Sequence, residues 1–590
     1  MTNSNQSLRD YMVSAVGYKD IFIFPSGGLK RVRKELSEFN VYALLQFCSK
    51  LAFPLFTKGE SNQKTQINMM KAIFPKEHYS SLIKALSKTD NKLWAIFHEH
   101  SALFLAKECL LYAARKNGKQ LNPQNAARLC LLLLILTDEG VGHGWTEEIK
   151  LPLEFERERV REFMARGAFF SGREYFAQKQ MRYKGIFDKA VEVGSKRNFD
   201  LNKIFRKAAK GLSYLDFFSI GMAIFTNWMK ELGKDPDINK EWVVCKKKYF
   251  RKTKLTSQTI NRFFKFNSIK VNQFRRRYEL VVQNILQGND VPSHNFLLFQ
   301  KYPLIHYERP DDMCYVCPSP RYLMERITEG VYWVVEEYLK VNNPTEWRKW
   351  PEIWGQAYEA YANKVLVGIF GKNSYIANPK DKDGAERSDG VLSSEKALMF
   401  LEIKYMHWRY KTKITGNSQD MEQDLKQLFQ SGKKPKGLGQ LAKHIGDYMN
   451  EKWEIPEIKD DSKKPIIPIL VVGESMPMDA YNRYFYDQMI IKKGIKMPAS
   501  RLMPYIILDG EDLMVLETIA QINGREVAAE SLYNYSRLFE KKESSGYVRG
   551  SMGFKNFAIS QGLVSGKNKR LWREFDKLFT EVKKRVFGSK

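Results

Sequence analysis

One apolar run constrains the fold of this chain more than any other feature of the sequence. Residues 397–403 are apolar except for a single charged residue, Glu402. An almost unbroken apolar run of this length is typical of a strand that is buried on both faces. Residues 465–472 and 504–508 have the same character, and each begins at a proline. The C-terminal half is therefore expected to contain a buried sheet.

Helical patterns surround these strands. Apolar residues recur at three- and four-residue steps in 354–370 and in 439–453. Helices alternating with buried strands predict an α/β domain with a mixed central sheet flanked by helices. The first 240 residues show helical spacing with little strand character, which predicts a large, mainly α-helical N-terminal region. We divide the chain into a helical domain (1–240), a basic aromatic-rich helical segment (241–290), the α/β domain (291–530) and a basic helical tail (531–590).

The charge and composition indicate the class of partner. Lys and Arg number 96 against 67 Asp and Glu, which gives a formal net charge of +29 and favours a polyanionic partner such as nucleic acid. The longest apolar run, 129–136, is far shorter than the roughly 20 residues of a membrane helix. Residues 1–20 lack the pattern of a signal peptide, and six cysteines do not suggest a disulfide framework. These features predict a cytoplasmic protein without a membrane partner.

The positive charge is concentrated in residues 246–278, which contain no acidic residue. Seven aromatic residues are interspersed there, and aromatic rings either stack on bases or form a core. Helical spacing predicts two helices, 255–266 and 271–285, which resemble a helix-turn-helix only loosely. We predict that this segment contacts nucleic acid, the alternative being a solvated helix face. The predicted nucleic-acid-binding residues are Lys246, Lys247, Lys248, Arg251, Lys252, Lys254, Arg262, Lys265, Lys270, Arg275, Arg276 and Arg277.

Two carboxylates and one lysine stand out in the predicted sheet. A carboxylate in a buried strand is costly unless a partner compensates it, and Glu402 lies in such a strand. Alternation along the strand places Lys404 on the same face as Glu402. Asp389 lies thirteen positions before Glu402, at the edge of another short strand, and a hairpin would bring the two together. Such a cluster can bind a divalent cation through oxygen ligands.

The pattern of Asp389, twelve intervening residues and Glu402-Ile403-Lys404 resembles the active site of the PD-(D/E)XK nuclease superfamily, which has the restriction-endonuclease-like fold. The resemblance covers about 345–480. It implies Mg²⁺ or Mn²⁺ held by Asp389, Glu402 and the Ile403 carbonyl, with Lys404 positioning the attacking water. Ser388 stands where the family nominally has a proline, a position that contributes only backbone in the family.

Two flanking helices extend the resemblance. Glu359 follows Gly355-Gln356-Ala357-Tyr358, at the position of an additional acidic metal ligand in many members. Gln440 opens a helix downstream of the strands, where many members have a Gln or Lys near the phosphate. The resemblance implies hydrolysis of phosphodiester bonds by a metal-dependent endonuclease, with DNA favoured over RNA. It further implies a role in antiviral defence against foreign DNA or in DNA processing.

Other interpretations stay open. The chain is alternatively a non-catalytic nucleic-acid-binding protein with a nuclease-like fold, or a scaffold subunit, and a homo-oligomer or a partner subunit is compatible with either. In both cases Glu402 and Lys404 form a structural ion pair. Of the weaker motifs, the pair Cys314 and Cys317 is interpreted as two thiols rather than a zinc site, since no second pair lies nearby. His98, Glu99, His100, Asp138, Glu139 and His143 are interpreted as polar residues on helix surfaces, and no phosphate-binding loop is present.

Overall fold

The computed structural model describes residues 14–15, 27–59, 62–74, 94–115, 117–141, 176–232, 242–309, 311–456, 463–496, 501–540, 553–564 and 568–588, together with 76, 79–80, 83, 158, 161–162, 164–166, 458 and 566. Everything stated below refers to these residues. In chain order the helices are α1 (Gly28–Leu36), α2 (Val41–Lys58), α3 (Gln63–Ile73), α4 (Glu99–Tyr112), α5 (Pro123–Val141), α6 (Phe176–Ser195), α7 (Leu201–Ala208), α8 (Tyr214–Leu232), α9 (Lys246–Phe250), α10 (Ser257–Asn267), α11 (Val271–Asn284), α12 (Leu297–Lys301), α13 (Pro320–Ile327), α14 (Gly330–Asn342), α15 (Pro344–Phe370), α16 (Tyr410–Thr415), α17 (Ser418–Asp424), α18 (Leu438–Met449), α19 (Ala480–Lys492), α20 (Gly510–Asn523), α21 (Arg525–Arg537), α22 (Phe554–Ser560) and α23 (Lys569–Phe587).

The strands are shorter and fewer than the helices in the described part of the chain. They are β1 (Ser14–Ala15), β2 (Trp94–Ala95), β3 (Val243–Cys245), β4 (Ser268–Ile269), β5 (Leu304–Glu308), β6 (Met313–Val316), β7 (Tyr375–Ala377), β8 (Gly390–Ser393), β9 (Leu398–Lys404), β10 (Phe429–Gln430), β11 (Lys436–Gly437), β12 (Ile466–Val472) and β13 (Ile506–Leu508). The predicted combination of a helical N-terminal region and an α/β C-terminal half is confirmed. None of the described helices is long and apolar enough to be a candidate membrane span.

The chain forms two compact units, and neither is continuous in sequence. The first comprises 1–149, 205–334 and 580–590, and the second comprises 150–204 and 335–579. The domain boundaries predicted near 240, 290 and 530 fall inside these units rather than between them. The amino-acid composition does not show where the chain leaves one unit and enters the other, because both units contain amphipathic helices of similar composition.

The second unit is built on a five-stranded mixed sheet in the order β13-β12-β9-β8-β7. β9, β12 and β13 run parallel, while β8 and β7 continue the sheet in antiparallel pairing. The apolar run predicted as a buried strand is β9, and six of its seven residues are buried. Leu398 and Phe400 on one face of β9 belong to a core that includes Leu441 and Ile445 of α18.

Helix α15 covers the opposite face of this sheet. Just beyond the end of β9, the Tyr405 ring packs edge-on against Trp354 and Tyr358 of α15. The Tyr358 hydroxyl donates a hydrogen bond of 2.7 Å to the carbonyl of Val472, the last residue of β12. The sheet therefore lies between α15 and α18, as the alternation of helices and buried strands predicts.

The first unit combines helices with a four-stranded sheet in the order β3-β6-β5-β4. Cys245 of β3 and Cys314 of β6 are directly paired across the strands and form a disulfide bond. The interpretation of Cys314 as a free thiol is therefore wrong, because folding brings it against a cysteine 69 positions away. Cys317 is a buried thiol, as predicted, and its Sγ donates to the Ser319 carbonyl at 3.0 Å.

Candidate active site

The hairpin of β8 and β9 brings Asp389 beside Glu402. Gly390, the first residue of β8, pairs with Leu401 of β9, so the antiparallel register places the preceding Asp389 opposite Glu402. Gly390 is required at this position because a Cβ atom there would lie 2.1 Å from the Tyr375 hydroxyl. The sequence predicted this hairpin from the thirteen-residue separation of the two carboxylates.

Asp389, Glu402 and Lys404 are in direct contact. The backbone N–H of Ile403 donates to Asp389 Oδ2 at 2.7 Å, which fixes the orientation of that carboxylate. Lys404 Nζ lies 2.5 Å from Glu402 Oε1 and 3.4 Å from Asp389 Oδ2. One ammonium group thus bridges two carboxylates at the edge of the sheet where β9 ends and β8 begins.

Burial controls the electrostatics of this cluster. The Glu402 side chain has no exposed surface, and burial followed by the nearby charge of Asp389 raises the pKa of its carboxyl to about 8, although Lys404 opposes the shift. Burial alone would lower the pKa of Lys404, but Glu402 and Asp389 outweigh that effect and raise it above its ordinary value. Lys404 is therefore protonated at neutral pH. A cation bound beside Glu402 would lower the pKa of its carboxyl and favour the charged form.

Glu359 lies within electrostatic reach of the pair. It projects from α15, and burial, then the charge of Asp389, raises the pKa of its carboxyl to about 7. Lys404 and a hydrogen bond with Asn378 oppose the shift. Glu359 does not complete a group of three, since no three His, Cys, Asp or Glu side chains of the described residues are arranged to hold a metal ion.

Gln440 is half-buried in the first turn of α18 and makes no side-chain hydrogen bond with the described residues. His444 follows one turn later on the same face of the helix. Burial, followed by the positive charge of Lys443, lowers the pKa of His444 to about 4; Asp447 opposes this shift, and Arg387 and Lys404 add smaller effects that lower it further. The His444 ring is therefore neutral at pH 7, and it lies within electrostatic reach of Lys404.

Sequence reasoning missed the residues that fix the backbone of Asp389. The Tyr375 hydroxyl donates to Asn363 Oδ1 at 2.5 Å, and Asn363 Nδ2 donates to Asn378 Oδ1 at 3.3 Å. The N–H of Asn378 in turn donates to the Asp389 carbonyl at 3.1 Å. These residues carry no motif, and the only signal for Asn363 is its position one turn after Glu359 on α15.

Ser388 also contributes more than backbone. Its buried hydroxyl donates to the Leu401 carbonyl at 2.8 Å, which ties the start of β8 to β9. The expectation of a backbone-only role is therefore wrong for this chain. A proline at the same position would lack this hydroxyl, so the substitution replaces ring rigidity with a specific hydrogen bond.

A second charged group lies just beyond the ends of β9 and β12. Glu474 Oε1 accepts a hydrogen bond of 2.7 Å from His407 Nδ1, and Glu474 Oε2 lies 3.0 Å from Lys413 Nζ. The Trp408 N–H donates to the same carboxylate at 3.3 Å. Burial alone would raise the pKa of Glu474, but Lys413 and His407 outweigh it and lower the pKa to about 2. His407 therefore contributes to holding the Glu474 carboxylate in its charged form.

The donor atoms near Asp389 suit a hard divalent cation. Mg²⁺ is often held by one or two carboxylates together with substrate phosphate, so a group of three side chains is not needed. Glu402 is fully buried and its Oε2 accepts no hydrogen bond from the described residues. The Gly473 N–H donates to the Lys404 carbonyl, so alternation along β9 turns the Ile403 carbonyl to the side of β8 and Asp389.

The other candidate metal ligands have structural partners or lie outside the described residues. Glu99 is buried, accepts from the Ser319 hydroxyl at 2.7 Å and pairs with Arg321 at 2.8 Å. Its assignment to a helix surface is therefore wrong. Asp138 and Glu139 are half-buried on α5, and His143 lies outside the described residues.

In the predicted basic segment most of the cationic side chains are exposed, and four of the aromatic rings are buried. The predicted helices are confirmed as α10 and α11. Phe250, Phe263, Phe264 and Phe274 are buried, which favours the core alternative for these rings over base stacking. The exposed cations among the predicted nucleic-acid-binding residues are Lys247, Lys248, Arg251, Lys252, Lys254, Lys265, Lys270, Arg276 and Arg277, whereas Lys246, Arg262 and Arg275 are half-buried.

Some of these cations have intramolecular partners. Arg275 Nε donates to the Leu110 carbonyl at 2.7 Å and Arg275 Nη2 donates to the Ala113 carbonyl at 2.6 Å. These are carbonyls at the C-terminal end of α4, where the helix leaves its acceptors unsatisfied. Arg277 lies over the Tyr302 ring, with its guanidinium carbon 4.9 Å from the ring centre. Arg275 therefore supports the fold, and the three consecutive arginines are not equivalent.

The chain matches no protein-family model and no curated protein sequence.

Proposed function

We propose that this chain is a metal-dependent nuclease that hydrolyses phosphodiester bonds, with DNA as the favoured substrate. One observation carries the proposal: Asp389, Glu402 and Lys404 meet at one edge of the sheet, with the Glu402 carboxylate fully buried. Two neighbouring carboxylates in a poorly hydrated place oppose folding unless cations compensate them. A cluster of this kind is typical of sites that bind a catalytic cation.

Each residue of the cluster has a chemical role in this proposal. Asp389, Glu402 and the Ile403 carbonyl would hold Mg²⁺ or Mn²⁺, which when bound generates a hydroxide nucleophile and offsets charge on the phosphate. The Ile403 N–H keeps Asp389 oriented toward this position. Lys404, which retains its proton, orients the attacking water and stabilises negative charge that develops on the phosphate oxygens. Glu359, which lies within electrostatic reach of the cluster, and Gln440, one turn before His444 on α18, are assigned to positioning.

A second candidate is a nucleic-acid-binding protein that does not cleave its ligand. It is favoured by the short Lys404–Glu402 ion pair, since an ammonium group that satisfies the carboxylate removes the need for a metal ion. The lack of a three-ligand group among the described residues points the same way. Under this alternative the cluster is a structural ion pair, and no divalent cation binds to it.

A cleavage panel separates these candidates. Purified full-length chain would be incubated with supercoiled plasmid, linear duplex DNA, single-stranded DNA and RNA, each with Mg²⁺, Mn²⁺ or EDTA. We expect metal-dependent cleavage of DNA that Asp389→Asn, Glu402→Gln and Lys404→Met each reduce by at least roughly 100-fold. The nearly isosteric changes keep the hairpin folded, which circular dichroism and thermal melting would verify.

Glu395→Gln is the matched control. Glu395 is an exposed carboxylate in the turn between β8 and β9, so its loss should leave cleavage unchanged. Wild-type rates in any of the three site variants would refute the assignment of that residue. A metal titration followed by calorimetry that shows no binding to wild-type protein, with no cleavage of any substrate, would favour the second candidate.

A further inference from the structure

Three segments that are distant in sequence come together in the first unit. Arg262 of α10 donates to the Gly211 carbonyl, in the turn between α7 and α8, at 3.4 Å. Arg585 near the end of α23 pairs with Asp216 of α8 at 2.8 Å. The N–H of Lys254, in the turn after α9, donates to the Val586 carbonyl at 2.8 Å. The segments 205–216, 251–262 and 580–588 therefore form one continuous part of the surface.

This surface is strongly cationic. The three segments contain ten Lys and Arg residues and two acidic residues, Asp216 and Glu581. Arg262 and Arg585 hold the segments together, as described above. The other eight cations are exposed, and we call them the composite basic surface: Arg206, Lys207, Lys210, Arg251, Lys252, Lys254, Lys583 and Lys584.

None of the eight side chains makes a hydrogen bond or an ion pair with the described residues. Asp216 does not neutralise them, because it is engaged by Arg585 and by the Ser213 hydroxyl. By contrast, three cations of α6 and of the turn that follows it have acidic neighbours: Lys184 pairs with Asp188, and Lys189 and Lys196 both pair with Glu192. Uncompensated cations repel one another, so the composite basic surface is a site where an external polyanion lowers the free energy.

We propose that the composite basic surface binds the phosphate backbone of double-stranded DNA. This inference rests on the proposed function only because nucleic acid is taken as the partner. Proteins that bind single strands combine cations with several exposed rings on which bases stack. Here Phe205 and Tyr214 are buried, and among the described rings of the three segments only Phe587 is exposed. Phosphate contacts without a stacking platform favour a duplex, whose bases are already stacked.

The surface combines residues that sequence analysis had not connected. Arg206, Lys207 and Lys210 lie before the basic segment at 246–278, while Lys583 and Lys584 lie near the end of the chain. Only Arg251, Lys252 and Lys254 were predicted nucleic-acid-binding residues. The composite surface therefore distributes the phosphate contacts over three segments.

A triple variant with one change in each segment tests the proposal: Arg206→Ala, Lys252→Ala and Lys584→Ala. Binding of the full-length chain to a short fluorescent duplex DNA would be measured by anisotropy across a salt series in EDTA, which prevents metal-dependent cleavage. Each lost phosphate contact reduces the slope of log affinity against log salt by about 0.9 for duplex DNA, so we expect a reduction of roughly 2–3. The fold should be unaffected, because none of the three side chains has a described partner.

The matched control changes net charge equally at another place. Lys184→Ala and Lys189→Ala on α6, together with Lys196→Ala just after that helix, also remove three positive charges, and the salt slope should stay at the wild-type value. An equal reduction in both triple variants would refute a local site, and so would an unchanged slope in the test variant. Tighter binding of single-stranded DNA or double-stranded RNA than of duplex DNA would refute the choice of ligand.

The same assay distinguishes this inference from the proposed function. If wild-type protein cleaves nothing but binds duplex DNA with a slope that the triple variant reduces, the inference stands and the nuclease proposal fails. Cleavage without any effect of the triple variant on binding would give the opposite result.

Discussion

Two groups of charged residues, one in each unit of this chain, are placed in opposite ways. In the first unit, eight cations of the composite basic surface are exposed and have no intramolecular partner. In the second unit, Glu402 is buried and Glu474 is partly buried, and each lies within hydrogen-bonding distance of a cation. Exposed cations contribute little to folding and remain available to a ligand. Glu474 is coupled to the fold, because its removal would leave the cations beside it uncompensated.

The largest effect on stability is expected when the Glu474 carboxylate is replaced. The pKa of Glu474 is about 2, below its ordinary value of 4.5, because Lys413 and His407 outweigh burial. A lowered carboxyl pKa stabilises the fold above pH 4.5, and this stabilisation is lost as the pH falls toward 2. The shift corresponds to roughly 3 kcal/mol. We expect Glu474→Gln to lose stability of this order at pH 7 and to show a flatter acid limb between pH 4.5 and 2.

Chemical denaturation at a series of pH values measures this effect. Glu454→Gln is the control, because Glu454 forms an exposed pair with Lys382 at 2.7 Å. Exposed pairs contribute about 0–1 kcal/mol, so this variant should follow the wild-type pH curve. A parallel pH curve for Glu474→Gln would mean that the Glu474 group does not determine the acid stability of the protein.

A matched pair of neighbouring arginines tests the comparison within one helix. Arg275 donates to the carbonyls of Leu110 and Ala113, whereas Arg276 is exposed and has no partner among the described residues. Leaving those carbonyls unsatisfied should make Arg275→Ala less stable by about 1–3 kcal/mol. Arg276→Ala should change stability by less than about 0.5 kcal/mol. Equal urea midpoints for the two variants would contradict the assignment of Arg275 to the fold.

These residues also show how far the sequence could predict the structure. β9 was predictable because a buried strand needs a nearly unbroken apolar run, and Glu402 was conspicuous inside it. Asp389 was predictable because a hairpin is a local structure whose register follows from the separation along the chain. Local structure of this kind can be inferred from residues that are close together in the sequence.

Long-range packing left no comparable signal. Nothing near Arg275 indicates that it meets the end of α4, more than 160 positions earlier. The disulfide between Cys245 and Cys314 and the contact of Lys254 with Val586 are unpredictable for the same reason. The pKa of Glu402 likewise depends on burial by residues far along the chain. Sequence therefore predicted the candidate catalytic cluster, whereas the composite basic surface required the fold.

The smallest effect is expected at Glu359, which is neither fully exposed nor fully buried. It is half-buried on α15, and its carboxyl is influenced by Asp389 and Lys404 without direct contact of the Lys404–Glu402 type. Residues that support metal ligands from outside typically change metal affinity about 10–100-fold when they are replaced. We expect Glu359→Gln to raise the Mg²⁺ concentration needed for half-maximal cleavage by roughly tenfold, with little change in the rate at saturating Mg²⁺. Glu352→Gln is the control, because Glu352 is an exposed carboxylate on the same helix, paired with Arg197 at 2.8 Å. An Mg²⁺ requirement equal to that of the control would return Glu359 to the role of an ordinary helix residue. A complete loss of cleavage at all Mg²⁺ concentrations would instead assign Glu359 as a metal ligand, like Asp389 and Glu402.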